Sequence, residues 1–250
     1  MKRRNNIYHE ITLLPNIMNM YDRRVKLNTR NKNKIEKFDD YYTENIINIK
    51  NILESKSYNG GKYNLFVIKE PKVRLIMSQN ISDKVINHLV SQYFLVNIFD
   101  SSLIDENVST RIGKGSHYGI KLLKKYINEL KDDNFYVLRF DVKKFFFNLD
   151  HDIIKKLVRK KIKDKDALEI IDRIVDSTDD EAINKEIERL EKEYGVSLPR
   201  YYKGKGLPIG NMSSQIISVL YLNELDHYIK EKLHIKYYLR YCDGATVKVE

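Results

Sequence analysis

An apolar strand that ends in a carboxylate sets the tightest limit on how this chain can fold. Phe135-Tyr136-Val137-Leu138-Arg139-Phe140 reads as a strong strand and runs straight into Asp141. A carboxylate at that place is costly to bury unless a cation accompanies it. Arg139, Lys143 or a metal ion would each meet the need. For Asp141 alone, a helix cap or a salt bridge is the plainer reading.

A second strand of the same kind lies near the other end. Tyr237-Tyr238-Leu239-Arg240-Tyr241 leads into Cys242-Asp243-Gly244, and residues 245–249 can return as its partner. Asp-Gly is a preferred two-residue hairpin turn, so the spacing predicts a hairpin with Asp243-Gly244 at its tip. That explains Gly244 without any chemistry. It does not explain why a second strand–Asp element accompanies the first, with Gly206-Leu207-Pro208-Ile209-Gly210-Asn211-Met212-Ser213-Ser214-Gln215 between them.

The remaining segments alternate helix and strand signals. Residues 1–60 are polar, with Ile46, Ile49, Ile52 and Leu53 at loosely helical spacing. Residues 63–68 and 73–76 read as two strands, and Ser82 or Asp83 can cap the helix that follows. Another helix begins near Ser116, and Asp150 or Asp152 caps one after the Asp141 strand. Residues 179–194 read as a charged, solvated helix, residues 213–233 as one long helix, and residues 235–242 as the last strand. His151 and His227 read as helix-surface residues.

Charge and cysteine content narrow the class. The formal net charge is +10, from 45 Lys+Arg against 35 Asp+Glu. Such an excess attracts polyanions, although a lysine-rich composition alone also produces it. The single cysteine, Cys242, excludes an internal disulfide framework and a multi-cysteine zinc site. No apolar run is long enough to span a membrane, so the expectation is a soluble cytoplasmic protein without a membrane partner.

Taken in order, these stretches resemble the reverse transcriptase family. Phe140-Asp141-Val142-Lys143-Lys144-Phe145-Phe146 looks like its motif A, residues 206–215 its motif B, and Tyr241-Cys242-Asp243 its motif C. Glu70-Pro71-Lys72-Val73-Arg74-Leu75-Ile76, Asp83-Lys84-Val85-Ile86 and Ser109-Thr110-Arg111-Ile112-Gly113-Lys114-Gly115-Ser116 resemble fingers blocks. The resemblance implies an α+β fold with right-hand fingers and palm, the palm an antiparallel sheet with helices on one face. The expected division is an N-terminal helical extension over 1–60, fingers over 61–132, and palm over 133–250 with a charged helical insert at about 164–200.

The implied activity is RNA-directed DNA polymerisation, with an RNA template, a DNA or RNA primer, dNTP and two Mg²⁺ ions. Asp141, Asp243 and the carbonyl of Val142 would hold the metals. Lys72 and Arg74 would reach the triphosphate, and Arg111 and Lys114 the template phosphates. Phe146 stands at the family's steric gate against a ribose 2′-hydroxyl, while Ile209, Gly210 and Gln215 would border the nucleotide. Ile209 replaces the family's usual Gln, a pattern similar to the enzymes of diversity-generating retroelements, and implies lower base selectivity.

Gly244 replaces the second carboxylate of motif C, which weakens the implied metal site. The short tail after Asp243 reads as a C-terminal truncation with the thumb missing. Two alternatives stay open: a catalytically silent nucleic-acid-binding remnant, and a partner-dependent or template-free polymerase of a bacterial defence system.

Overall fold

The computed structural model describes residues 3–130 and 134–249. Its N-terminal region is helical, with α1 (Leu14–Met20), α2 (Lys32–Asp39) and α3 (Tyr42–Glu54). Ile17, Tyr21, Phe38, Ile49 and Leu53 from this region are buried in the main core. Tyr21 stacks on Phe38 with ring centroids 4.5 Å apart. The polar composition of residues 1–60 thus carries an apolar stripe that packs into the core.

Strands β1 (Asn64–Ile68) and β2 (Arg74–Ser78) form an antiparallel hairpin with Phe66 opposite Ile76. β2 starts one residue later than the sequence suggests, so Lys72 and Val73 belong to the turn. Leu75 is 2 % exposed and faces in, whereas Val73 is 46 % exposed and does not. Helix α4 (Ile81–Val90) follows. Its cap is Asn80, whose side chain accepts the Asp83 N–H at 2.7 Å, not Ser82 or Asp83.

Next in order come α5 (Ser116–Glu129), β3 (Tyr136–Asp141), the short α6 (Phe145–Asn148) and α7 (His151–Arg159). Asp150 caps α7 through the Ile153 N–H at 3.1 Å. Helices α8 (Lys165–Val175) and α9 (Glu181–Tyr194) occupy the segment expected to be a solvated insert. They are core elements. Ile170, Ile171 and Ile174 of α8 lie in the main core. Ile183, Ile187 and Leu190 of α9 pack with Leu75, Met77, Phe147 and Tyr201 in a second one. The charged face of α9 is solvated, and its three apolar residues floor the β1–β2 hairpin.

The long helix expected over residues 213–233 is broken at Leu222 into α10 (Met212–Tyr221) and α11 (Asn223–His227), with further helical turns to Lys232. Strands β4 (Tyr238–Tyr241) and β5 (Gly244–Val249) complete a three-stranded antiparallel sheet in the order β3-β5-β4. Side-chain alternation gives the sheet two different faces. Tyr238, Ala245 and Val247 pack with Ile229, Ile104 and Phe140 on one of them. On the opposite face Leu239 lies against Gly119 of α5, and Tyr126 meets Tyr237 edge-on at 5.2 Å. Helical segments therefore cover both faces, not one.

Segment 106–108 runs beside β4, with Arg240 N–H donating to the Glu106 carbonyl and Val108 N–H to the Arg240 carbonyl. Among the described residues, β3 is the sheet's other, open edge. Tyr136 is 76 % and Val137 58 % exposed there, although the strand is among the most apolar of the chain.

Candidate active site

The register of β3, β5 and β4 assembles the carboxylates. Asp141 lies opposite Gly244 on β5, and Gly244 lies opposite Tyr241 on β4. The loop that joins β4 to β5 is therefore Cys242-Asp243, with Cys242 at a positive φ of 55°, and not Asp243-Gly244. Local turn preference favoured the Asp-Gly pair, but pairing with β3 draws Gly244 into the strand. Asp243 consequently projects from the tip beside the end of β3.

Two electrostatic features mark this place. Burial pushes the Asp243 carboxyl above its ordinary range; its own backbone N–H and Arg240 oppose this, while the charge of Asp141 adds to it. Among the described residues no lysine or arginine forms an ion pair with Asp141 or Asp243. Two neighbouring carboxylates without a protein cation, offering oxygen donors only, fit a hard divalent ion such as Mg²⁺. Gly244 is tolerant: a Cβ there would sit 3.5 Å from Asp141 Oδ1, at ordinary contact, and its φ is not left-handed. A side chain at 244 would point at the same carboxylate.

The three phenylalanines after Asp141 divide their duties. Phe145 (5 % exposed) and Phe147 (8 %) are core residues, and Phe147 packs on Tyr201 with centroids 4.8 Å apart. Phe146 is only half-buried. Its carbonyl accepts the Leu207 N–H at 2.7 Å, which ties Phe146 to the loop leading into α10.

That loop makes a close backbone approach. Met77 N–H donates to the Ile209 carbonyl at 2.8 Å. Gly210 has φ +136°, and a Cβ there would stand 2.5 Å from the Met77 carbonyl oxygen. Only glycine fits. Behind it, Ser213 donates to Asn87 Oδ1, and Asn87 donates to Gln79 at 2.9 Å, a buried polar chain that locks α10 to α4. Gln215 and Gly210 border a cleft of about 550 Å³ with Arg24, His88, Thr110, Ile112 and Met212. No carboxylate lines it. Burial pushes His88 down to about 4, and Arg24 and Lys84 add to the effect, so Arg24 is the cation that lines the cleft.

The remaining basic residues differ in how free they are. Lys72 and Arg74 are exposed at the tip of the β1–β2 hairpin. Arg111, expected at template phosphates, is committed elsewhere. Its guanidinium donates to Asp100 Oδ1 at 2.8 Å and to the Ile104 carbonyl at 2.7 Å, and only 9 % of its side chain is exposed. Lys114 donates to the carbonyl of Asp105 at 2.7 Å and to its carboxylate at 2.9 Å. Both residues shape the loop over 100–114 rather than offer free charge.

His151 is not on a helix surface. It is 2 % exposed, with Nε2 2.7 Å from the Gly206 carbonyl and Nδ1 3.1 Å from Asp176. Thr178 donates to the same Gly206 carbonyl at 2.8 Å, Gly204 N–H to Asp179 at 2.8 Å, and Lys155 to Asp176 at 2.7 Å. The His151–Asp176–Asp179 cluster has the donor types of a metal site, yet its polar groups are occupied within the chain. It clamps the glycine loop before α10. Arg240 and Asp226, which no local motif marks, form a buried ion pair with Nη2–Oδ2 at 2.6 Å. An arginine two residues after Tyr238, on the same strand face, was the signal available.

No helix among the described residues is long and apolar enough to cross a membrane. Among curated proteins none matches the chain significantly. The family model described as reverse transcriptase (RNA-dependent DNA polymerase) matches residues 67–250, which include β2, the β4–β5 hairpin, the glycine loop and the two carboxylates. The chain belongs to the reverse transcriptase family.

Proposed function

We propose that this chain is the fingers and palm of an RNA-directed DNA polymerase whose metal centre is weakened by Gly244. The observation that carries the reading is the register of β3 on β5, which brings Asp141 beside Asp243, neither of them in an ion pair with a lysine or arginine among the described residues. Two Mg²⁺ ions, when bound, would activate a primer 3′-hydroxyl and neutralise the departing pyrophosphate.

The chain's own residues have distinct parts in this reading. Asp141, Asp243 and the Val142 carbonyl hold the ions. Lys72 and Arg74 take the triphosphate oxygens of dNTP, since both are exposed on the hairpin that the Gly210 loop touches. Phe146 excludes the ribose 2′-hydroxyl; of three consecutive rings it is the one the core leaves half-exposed. Ile209 offers the nucleotide no hydrogen-bonding side chain, in keeping with low base discrimination. The cationic cleft between Arg24 and Gln215 is suited to the phosphates of the RNA template, with binding that weakens as salt rises.

Primer extension on an RNA template with dNTP and Mg²⁺ tests the assignment. Extension by the chain is expected to be slow and to rise about tenfold or more in Gly244→Asp, since that carboxylate would add charge beside Asp141. Nucleic-acid binding without extension in either form would favour a silent binding protein instead, the reading that the missing carboxylate most encourages. In the same background, Phe146→Ala is expected to raise rNTP incorporation relative to dNTP. An unchanged ratio would return Phe146 to packing alone.

A further inference from the structure

Arg240 and Asp226 form a buried ion pair with side-chain exposures of 1 % and 0 %. Burying both charges gives little stability that well-packed apolar residues could not supply. The geometry shows what the pair does instead. Arg240 Nε donates to Asp226 Oδ1 at 2.7 Å, and Nη2 donates to Oδ2 at 2.6 Å. Nη2 also reaches the Val219 carbonyl on α10 at 2.8 Å. The remaining nitrogen, Nη1, donates to the Cys242 carbonyl at 2.6 Å. Cys242 is the first of the two loop residues, and Asp243 is the second.

One planar guanidinium therefore joins α10, α11 and the loop that carries a candidate metal ligand. The backbone of Arg240 is itself fixed on its outer side by Glu106 and Val108. Tyr238 holds Asp226 in turn, donating to Oδ1 at 2.7 Å. The arrangement is rigid because a fork with fixed angles meets acceptors on three elements. A lysine could pair with Asp226, but it could not span to Cys242 as well.

We propose that Arg240, oriented by Asp226, is a positioning residue: it fixes the Cys242-Asp243 loop so that Asp243 meets Asp141 at the distance a divalent ion requires. The proposal rests on the polymerase reading of that site. Partners that orient metal ligands from behind typically alter affinity by about 10–100-fold when removed.

The test uses Mn²⁺ as the probe, with binding to the full chain followed by electron paramagnetic resonance. Arg240→Met, Asp226→Leu and Tyr238→Phe are combined, so that no charge or hydroxyl is left unpaired in the pocket. The triple variant is expected to unfold cooperatively near the wild-type midpoint and to bind Mn²⁺ at least about tenfold more weakly. Arg240→Lys, which keeps the charge but not the fork, is expected to lose affinity too. A folded triple variant that binds Mn²⁺ as the wild type does would overturn the proposal. Asp141→Asn serves as the control: if it leaves wild-type binding unchanged, the polymerase reading of the site fails, a result distinct from failure of the positioning role. Should the triple variant not fold, the wild-type guanidinium decides by NMR. A slowly exchanging Arg240 Nη1–H coupled to the Cys242 carbonyl is expected, and a freely exchanging one contradicts it.

Discussion

Arg240→Met alone is expected to lower the free energy of unfolding by about 3–5 kcal/mol, among the largest effects any single substitution should have here. The methionine fills most of the volume, so packing is not the cause. The loss arises because the Asp226 carboxylate, 0 % exposed, loses its balancing cation and both guanidinium hydrogen bonds. Tyr238 still donates to it at 2.7 Å and the Asn107 amide at 3.5 Å, but two neutral donors do not offset a buried anion. The carbonyls of Val219 and Cys242 are orphaned at the same time. Asp226→Leu should recover most of the loss when added to Arg240→Met, because the pair is coupled and the two costs do not add. Urea denaturation of the four proteins gives the cycle. A single-variant loss below about 1 kcal/mol would mean the pocket admits water and the pair is not buried in solution.

Asp141→Asn is expected to act on chemistry and leave the fold alone. The side chain is exposed at the end of β3 and has no ion-pair partner among the described residues, so an isosteric amide orphans nothing. What it removes is one anionic oxygen from a site of two carboxylates. Charge stabilisation of that kind is worth several kcal/mol in a transition state, so a loss of roughly 4 kcal/mol corresponds to about 10³-fold in rate. Measured as RNA-templated dNTP incorporation in the Gly244→Asp background, the rate should fall by that factor while the unfolding midpoint stays put. Retention of the rate would remove Asp141 from the chemistry.

Much of the local structure was legible from residues alone. The strand that runs into Asp141, the hairpin after Tyr238, the Asp150 cap and the burial of two rings among Phe145, Phe146 and Phe147 all follow from pattern and turn chemistry. Each depends on neighbours within a few positions. What escaped depends on partners far away in sequence. The loop at Cys242-Asp243 is set by the register with β3, against the local preference for Asp243-Gly244. His151 is buried because Asp176 and the Gly206 carbonyl close over it. Arg111 looked available beside glycines, yet Asp100 and two backbone carbonyls use its donors. The three apolar residues of α9 were visible as a stripe, but nothing local said that the β1–β2 hairpin would cover them.

The polymerase reading stands or falls on divalent metal bound jointly by Asp141 and Asp243. Crystals soaked in Mn²⁺ and measured at the manganese edge test it most directly, because the anomalous signal locates the metal without reference to activity. A peak is expected between the two carboxylates, at the roughly 2.0–2.2 Å oxygen distances of a small hard cation, and it should vanish in Asp141→Asn. A peak at the His151–Asp176–Asp179 cluster with none between Asp141 and Asp243 would contradict it.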